Sequence, residues 1–230
     1  AVNETHENPA YLPGVGLPVE LTATDNLESA FDGAEMALIV VPAQTLRILA
    51  RELKSFLPAG LPLVLCSKGI EKSTGRFASQ VVAEELPDQP LAVLSGPSFA
   101  HDVARGLPTA VTLAAEDVDL SDRLAAVLSG DTLRIYASSD IVGVEAGGAL
   151  KNVLALAAGA IAGRHMGPSA GAAIITRGFV ELRRLGEALG ARTETLMGLS
   201  GLGDLVLTCS SDQSRNFAYG AALGRGEDLT

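Results

Sequence analysis

Residues Glu35–Ser67 read EMALIVVPAQTLRILARELKSFLPAGLPLVLCS. The opening EMALIVVP is an unbroken apolar run closed by Pro42, the pattern of a buried parallel strand. Between Thr45 and Leu57, leucines fall at positions 46, 49, 53 and 57, along one face of a helix. Leu61–Ser67 (LPLVLCS) is a second apolar run. Strand, amphipathic helix, strand is the unit from which a parallel sheet is wound.

The same alternation continues in the C-terminal direction. GRFASQVVAEEL after Thr74 reads as helix, Leu91–Ser95 as strand, and a helix begins near Ser98. Strands follow at Ala110–Ala114 and Leu133–Tyr136, with a helix around Leu120–Leu128 between them. The expected fold class is a doubly wound α/β sheet. After about Ser138 the chain becomes Ala- and Gly-rich, with helices expected over Ile141–Ala162, Ala170–Leu189 and Phe217–Leu223 and no strand. This divides the chain into an α/β domain over 1–138 and an all-α domain over 139–230.

Composition excludes several function classes. With 47% hydrophobic and 19% charged residues, the chain is a folded one. A net charge of −10 without a basic stripe argues against nucleic acid or an anionic membrane as partner. Cys66 and Cys209 lie far apart, and with three scattered histidines they form no metal signature. The simplest compartment for such cysteine usage is a reducing cytoplasm. The opening AVNETHENPAYLPG has neither the basic nor the apolar region of a signal peptide. The run Ile141–Gly163 is long enough to raise the question of a membrane span, but five glycines with Glu145, Lys151 and Asn152 argue against one.

Lys151 and Glu145 are the two charges in that run. A lysine in such surroundings needs a partner or a purpose, because desolvation disfavours its ammonium form. A stem lying along apolar surface with its head in water explains Lys151 in isolation. Three strand ends in the first half also carry chemistry-bearing loops: Val41–Gln44, Ser67-Lys68-Gly69 and Ser95–Ala100 (SGPSFA). In open α/β sheets, ligands bind outside the carboxyl ends of the strands. Turn chemistry accounts for any one of these loops; three in succession point to a crevice. Asp204, within GLGDLVLTC, is a carboxylate in apolar context that seeks a cation. Ser214-Arg215-Asn216 precedes a helix, and suits either a phosphate clamp or a plain N-cap with a surface arginine. No GxGxxG follows a strand anywhere, and Gly14-Val15-Gly16 lacks the third glycine.

Together, NPAYLPG (Asn8–Gly14), the VVP loop, SKGIE (Ser67–Glu71), SGPSFA, GGALKN (Gly147–Asn152), GLGDLVLTC (Gly201–Cys209) and SRN (Ser214–Asn216) stand in one order. That order resembles the NAD(P)-dependent glycerol-3-phosphate dehydrogenase family of the bacterial type, over nearly the whole chain. The resemblance implies a Rossmann-like first domain, NAD or NADP as cofactor, and glycerol 3-phosphate and dihydroxyacetone phosphate as small-molecule substrates. Lys151 matches the family's proton donor and acceptor. Lys68 matches a second cation near substrate and cofactor, and Asp204 a substrate-site carboxylate. Gly96 and Ser98 match substrate-loop positions, the latter also commonly threonine. Ser214, Arg215 and Asn216 match the phosphate-end clamp. Tyr11, Ala100 and Arg215 match positions near the cofactor. The resemblance also implies an internal piece, lacking the first βαβ with its glycine fingerprint and the later part of the helical domain. Such a piece is expected to be inactive by itself. It allows a homodimer, but the residues do not fix the oligomeric state or the choice between NAD and NADP.

Two other readings remain open on residues alone. One is a 3-hydroxyacid or 6-phosphogluconate-type dehydrogenase, disfavoured by GLGDLVLTC and SRN. The other is a non-catalytic protein on a degraded dehydrogenase frame, disfavoured by intact Lys68, Lys151, Asp204 and Arg215. Because these residues hold no glycine-rich pyrophosphate cradle, calorimetric titration of this stretch with NAD(H) is expected to show weak binding. Micromolar affinity would overturn that expectation.

Overall fold

The computed structural model describes residues 2–228. A short helix α1 (Val2–Thr5) leads into an antiparallel hairpin of β1 (Glu7–Asn8) and β2 (Leu12–Gly16), followed by α2 (Leu27–Phe31). The main sheet comprises β3 (Ala37–Ile39), β4 (Leu63–Leu65), β5 (Leu91–Ser95), β6 (Thr109–Ala115) and β7 (Leu133–Ser138), in that spatial order. Its connecting helices are α3 (Leu46–Leu53), α4 (Ala78–Glu85), α5 (Ala100–Ala104) and α6 (Val118–Leu128).

Helices cover both faces, as a doubly wound sheet requires. Ile39, Leu63, Leu65 and Val93 pack on one face against Leu46, Ala50 and Leu53 of α3 and Val81 and Val82 of α4. Val64, Ala92, Leu113 and Ile135 meet Leu120, Leu124 and Ala125 of α6 on the other. Each fully buried leucine contributes about 1.5–3 kcal/mol. The sheet is Rossmann-like but mixed in direction. β3, β4 and β5 are parallel, β5 pairs antiparallel with β6, and β6 pairs parallel with β7. The connection between β5 and β6 holds only the five-residue α5. That is too little helix for a crossover, so the chain returns as an antiparallel neighbour.

Two other expectations need correction. Within this chain β3 is the outer strand of the described sheet, and Leu38 and Val40 are 46% and 71% exposed, so here EMALIVVP packs on one face. The helix expected near Ser98 starts at Ala100, with Phe99 at its cap position and no capping side chain. NPAYLPG forms the β1–β2 hairpin, which rests against α5.

After Ser138 no strand occurs among the described residues. The helices are α7 (Ile141–Gly163), α8 (Pro168–Ala188), α9 (Thr193–Met197), α10 (Asp204–Cys209) and α11 (Arg215–Arg225), with one π turn at Leu199–Gly203. α7 starts on a buried N-cap, Asp140, whose Oδ1 accepts the Gly143 N–H at 2.9 Å. α7 is long and apolar enough to cross a membrane, but half of its apolar window is buried inside this fold, against the sheet, α8, α10 and α11. α7 and α11 touch backbone to backbone: a side chain at Gly159 would strike the Phe217 carbonyl, and one at Gly220 the Leu156 carbonyl.

Gly159→Ala is therefore expected to cost about 1–3 kcal/mol and to lower the Tm. Val153→Ala, at a position on the same helix that is 72% exposed, should stay within about 0.5 kcal/mol. A thermal melt of both variants checks this, and an unchanged Tm for Gly159→Ala would contradict the close packing.

Candidate active site

β3, β4 and β5 end on one edge of the sheet, and their three loops meet there. The Val41–Gln44 loop grips the Lys68 loop: Ser67 Oγ donates to the Val41 carbonyl at 2.6 Å, and Gln44 Nε2 to the Ile70 carbonyl at 2.8 Å. Arg47 holds Glu71 with two parallel bonds of 2.8 Å, and Thr74 Oγ1 donates to the same carboxylate at 2.6 Å. The Arg47 guanidinium first, then Thr74, pull the Glu71 carboxyl down to about 2. Gly96, in the SGPSFA loop, has φ +153, and a Cβ there would lie 2.9 Å from Val111 Cα. Only glycine allows that approach.

From this edge Lys68 reaches the helical half. Its Nζ donates to the Gly96 carbonyl at 2.9 Å and to Asp204 Oδ2 at 2.7 Å. Lys151, from the middle of α7, donates to Asp204 Oδ1 at 2.5 Å and to Thr208 Oγ1 at 2.8 Å. One carboxylate thus lies between two ammonium groups. Lys151 is 6% exposed and Asp204 1%. Lys151 therefore does not snorkel. Burial pushes Lys151 down to about 8; Lys68 adds repulsion, and the attraction of Asp204 opposes both. The partly buried thiol of Cys66 and the buried thiol of Cys209 are pushed up to about 11 by desolvation, so neither is a ready nucleophile near neutral pH.

The structure gathers some sequence-derived candidates and leaves others apart. Lys68, Gly96, Lys151 and Asp204 form one hydrogen-bonded cluster. Asn216 Nδ2 donates to Asn152 Oδ1 at 2.9 Å, which places the start of α11 beside Lys151's chain neighbour. Ser214 is the α11 N-cap, its Oγ accepting the Phe217 N–H at 3.3 Å. Arg215 is exposed, and no ion-pair partner for it occurs among the described residues. Ser98 Oγ turns back to the Gly96 carbonyl at 3.1 Å. Tyr11 is 88% exposed on the hairpin and Ala100 is exposed at the start of α5, and neither is hydrogen-bonded to the cluster.

Residues that the sequence reading missed include Thr208 and Ser95. Thr208 lies four residues after Asp204 on one helix, a readable same-face spacing. Ser95, at the end of β5, is 4% exposed; its Oγ has no partner, and a Cβ at Gly148 would lie 2.7 Å from it. The SGPSFA loop is legible as a strand end, but nothing in it singles out this hydroxyl. A cleft of about 950 Å³ runs past Thr112, Tyr136, Arg192 and Leu199. None of the candidate residues lines it. Converging charge, rather than volume, distinguishes this candidate site.

A Rossmann-like sheet whose strand ends meet a helix-borne lysine over a buried carboxylate defines a class of two-part α/β oxidoreductases. The comparisons narrow that class. The N-terminal model of NAD-dependent glycerol-3-phosphate dehydrogenase matches residues 1–121 and the C-terminal model residues 140–230. A glycerol-3-phosphate dehydrogenase (NAD(P)+) of Brucella ovis is 60% identical over 230 residues, covering 100% of this chain and 71% of its own length. Its Chelativorans counterpart is 60% identical over 228 residues, covering 99% and 70%. The glycerol-3-phosphate dehydrogenase structure from Coxiella burnetii aligns with a TM-score of 0.94 at 42% identity, over 99% of this chain and 70% of that one. That from Saccharomyces cerevisiae gives 0.86 at 29% identity, over 99% and 68%. The chain belongs to the NAD-dependent glycerol-3-phosphate dehydrogenase family.

Asp204→Asn removes the charge that opposes burial and Lys68. Lys151 is then expected to titrate below about 8 in an NMR titration of lysine Nζ. An unchanged or raised value would contradict the charge balance described above.

Proposed function

We propose that the intact enzyme interconverts sn-glycerol 3-phosphate and dihydroxyacetone phosphate with NAD or NADP, and that Lys151 is the proton donor and acceptor. The observation that carries this reading is the Lys68–Asp204–Lys151 cluster at the sheet edge. The residues present fit the reactive end of such a cofactor. The carboxyl ends of three parallel strands, Lys68 and the unpartnered buried Ser95 hydroxyl share one edge. When bound, a nicotinamide would supply or remove hydride at the substrate's C2. Lys68, Tyr11, Ala100 and Arg215 are the residues we assign to holding it.

As negative charge grows on the substrate oxygen, Lys151 Nζ delivers its proton there, and the ammonium of Lys68 stabilises the developing charge. A lysine poised near 8 changes protonation state at little cost close to neutrality. Asp204 and Thr208 aim Nζ. Gly96 and Ser98 line the substrate loop. Arg215, without an ion pair among the described residues, takes the phosphate with Asn216 and with the O–H donor that Ser214 keeps after capping α11.

We place the division between sheet and helical domains at 138/139. The end of β7 at Ser138, the start of α7 at Ile141 and the gap between the two family-model matches support it. Two free thiols support a reducing, cytoplasmic location, and the product suits a role in supplying glycerol 3-phosphate for phospholipids.

Lys151→Ala in the intact enzyme should lower kcat by about 10²–10⁴-fold with the circular dichroism spectrum retained. In the parent, ketone reduction needs protonated Lys151 and should fall as pH rises through about 8, whereas alcohol oxidation should rise over the same window. A near-native Lys151→Ala variant would remove Lys151 from the mechanism.

A further inference from the structure

Glu145 is the second charge in α7, and the reaction described above does not use it. It lies between Val144 and Ala146, which are both 0% exposed, and is itself 6% exposed. Its carboxylate receives two hydrogen bonds from one residue of the sheet half. The Ser79 backbone N–H donates to Oε1 at 2.7 Å and Ser79 Oγ to Oε2 at 2.6 Å. Ser79 sits in the first turn of α4, where helix N–H groups lack intrahelical partners. The residue at the α4 cap position is Phe77, which has no oxygen to offer. Glu145 therefore caps α4 from a different helix, and the positive end of the α4 dipole favours its charge there.

The contact sits at the seam between the two lysine-bearing elements. Toward the sheet, Phe77 bridges to Ile70, and the Glu71 N–H donates to the Arg76 carbonyl at 2.9 Å. That small closed loop ties Ser79 to the segment carrying Lys68. Phe77 and Ile70 also pack with Ala146, Leu182 and Leu196 of the helical half. Along α7, Glu145 and Lys151 stand six residues apart on one rigid helix, about 9 Å along its axis. The two lysines are thus joined twice, directly through Asp204 and indirectly through Lys68, Ile70–Phe77, Ser79 and Glu145.

We propose that Glu145 is a positioning residue: its carboxylate pins the first turn of α4, and so the Lys68 loop, at the spacing from Lys151 that the reaction uses. Burial pushes the Glu145 carboxyl up to about 7, a cost that the two Ser79 bonds counter. Such a costly group, kept inside apolar packing, marks a place where register matters.

The test compares Glu145→Ala, Ser79→Ala and Glu145→Gln in the full chain. A carboxamide still accepts from the Ser79 N–H and can donate to its hydroxyl, so Glu145→Gln should keep parent values. In both alanine variants Lys68 drifts from Lys151, its repulsion weakens, and Lys151 should titrate above its parent value by NMR of lysine Nζ. In the same variants kcat should fall about tenfold with KM within about twofold. The double variant should lose no more than the larger single lesion. Ser79→Ala deletes one hydroxyl and serves if Glu145→Ala does not fold. Lower melting temperatures with an unmoved Lys151 titration would overturn the proposal. The kinetic arm rests on Lys151 as proton donor, but the titration arm does not. A fully active Lys151→Ala would sink that reading of the reaction and leave the titration to decide the clamp.

Discussion

Everything at this site depends on one carboxylate shared by two ammonium groups where little water enters. Alone, Lys151 would pay heavily for losing solvent, and two lysines side by side would repel each other strongly. Asp204 offers one oxygen to each, which makes the pair tolerable without neutralising it. A net positive charge remains, directed at the edge where β3, β4 and β5 end. An anionic substrate would restore neutrality on arrival. Charge imbalance, rather than a deep cavity, distinguishes this candidate site, and the cleft of about 950 Å³ past Tyr136 and Arg192 lies elsewhere.

Holding that balance needs rigid supports on both sides. On the sheet side, the Lys68 loop is gripped by Gln44, by the Arg47–Glu71 fork and by the bond from Ser67 to the Val41 carbonyl. On the helical side, α7 is fixed at its start by Asp140, which also accepts the Arg192 N–H at 2.9 Å, and along its length by close backbone contacts. The π turn at Leu199–Gly203 delivers Asp204 to its place. Extra turns of this kind recur at functional sites because they re-aim the residue that follows.

Much of this was legible in the sequence, for identifiable reasons. Strand and helix alternation is written in local apolar periodicity, so β4, β5 and α7 stand where their patterns put them. Lys151 and Asp204 announced themselves as charges in apolar context, because burying an unpaired charge is too costly to be incidental. Strand direction was less legible: whether β6 runs with or against β5 depends on how the chain returns after the short α5, which local patterning does not encode. The same holds for the exposure of Val40, since covering a strand's second face is a matter for distant segments. The Lys68–Asp204 pair spans 136 positions, and nothing local links its members. Ser79 carries no signal at all, and Ser95 only that of the loop it opens; an ordinary serine becomes informative only when its neighbours in space are known.

The backbone contact of α7 with α11 bears on how the protein can evolve. The main chain sets the distance between these helices, so no compensating side-chain change can restore it once a methyl group intrudes. Substitution on the outer faces of both helices costs little, whereas the glycines at the crossing leave no room for a Cβ. Since that crossing seats the start of α11 beside Asn152, the placing of the proposed phosphate clamp rests on residues that carry no chemistry.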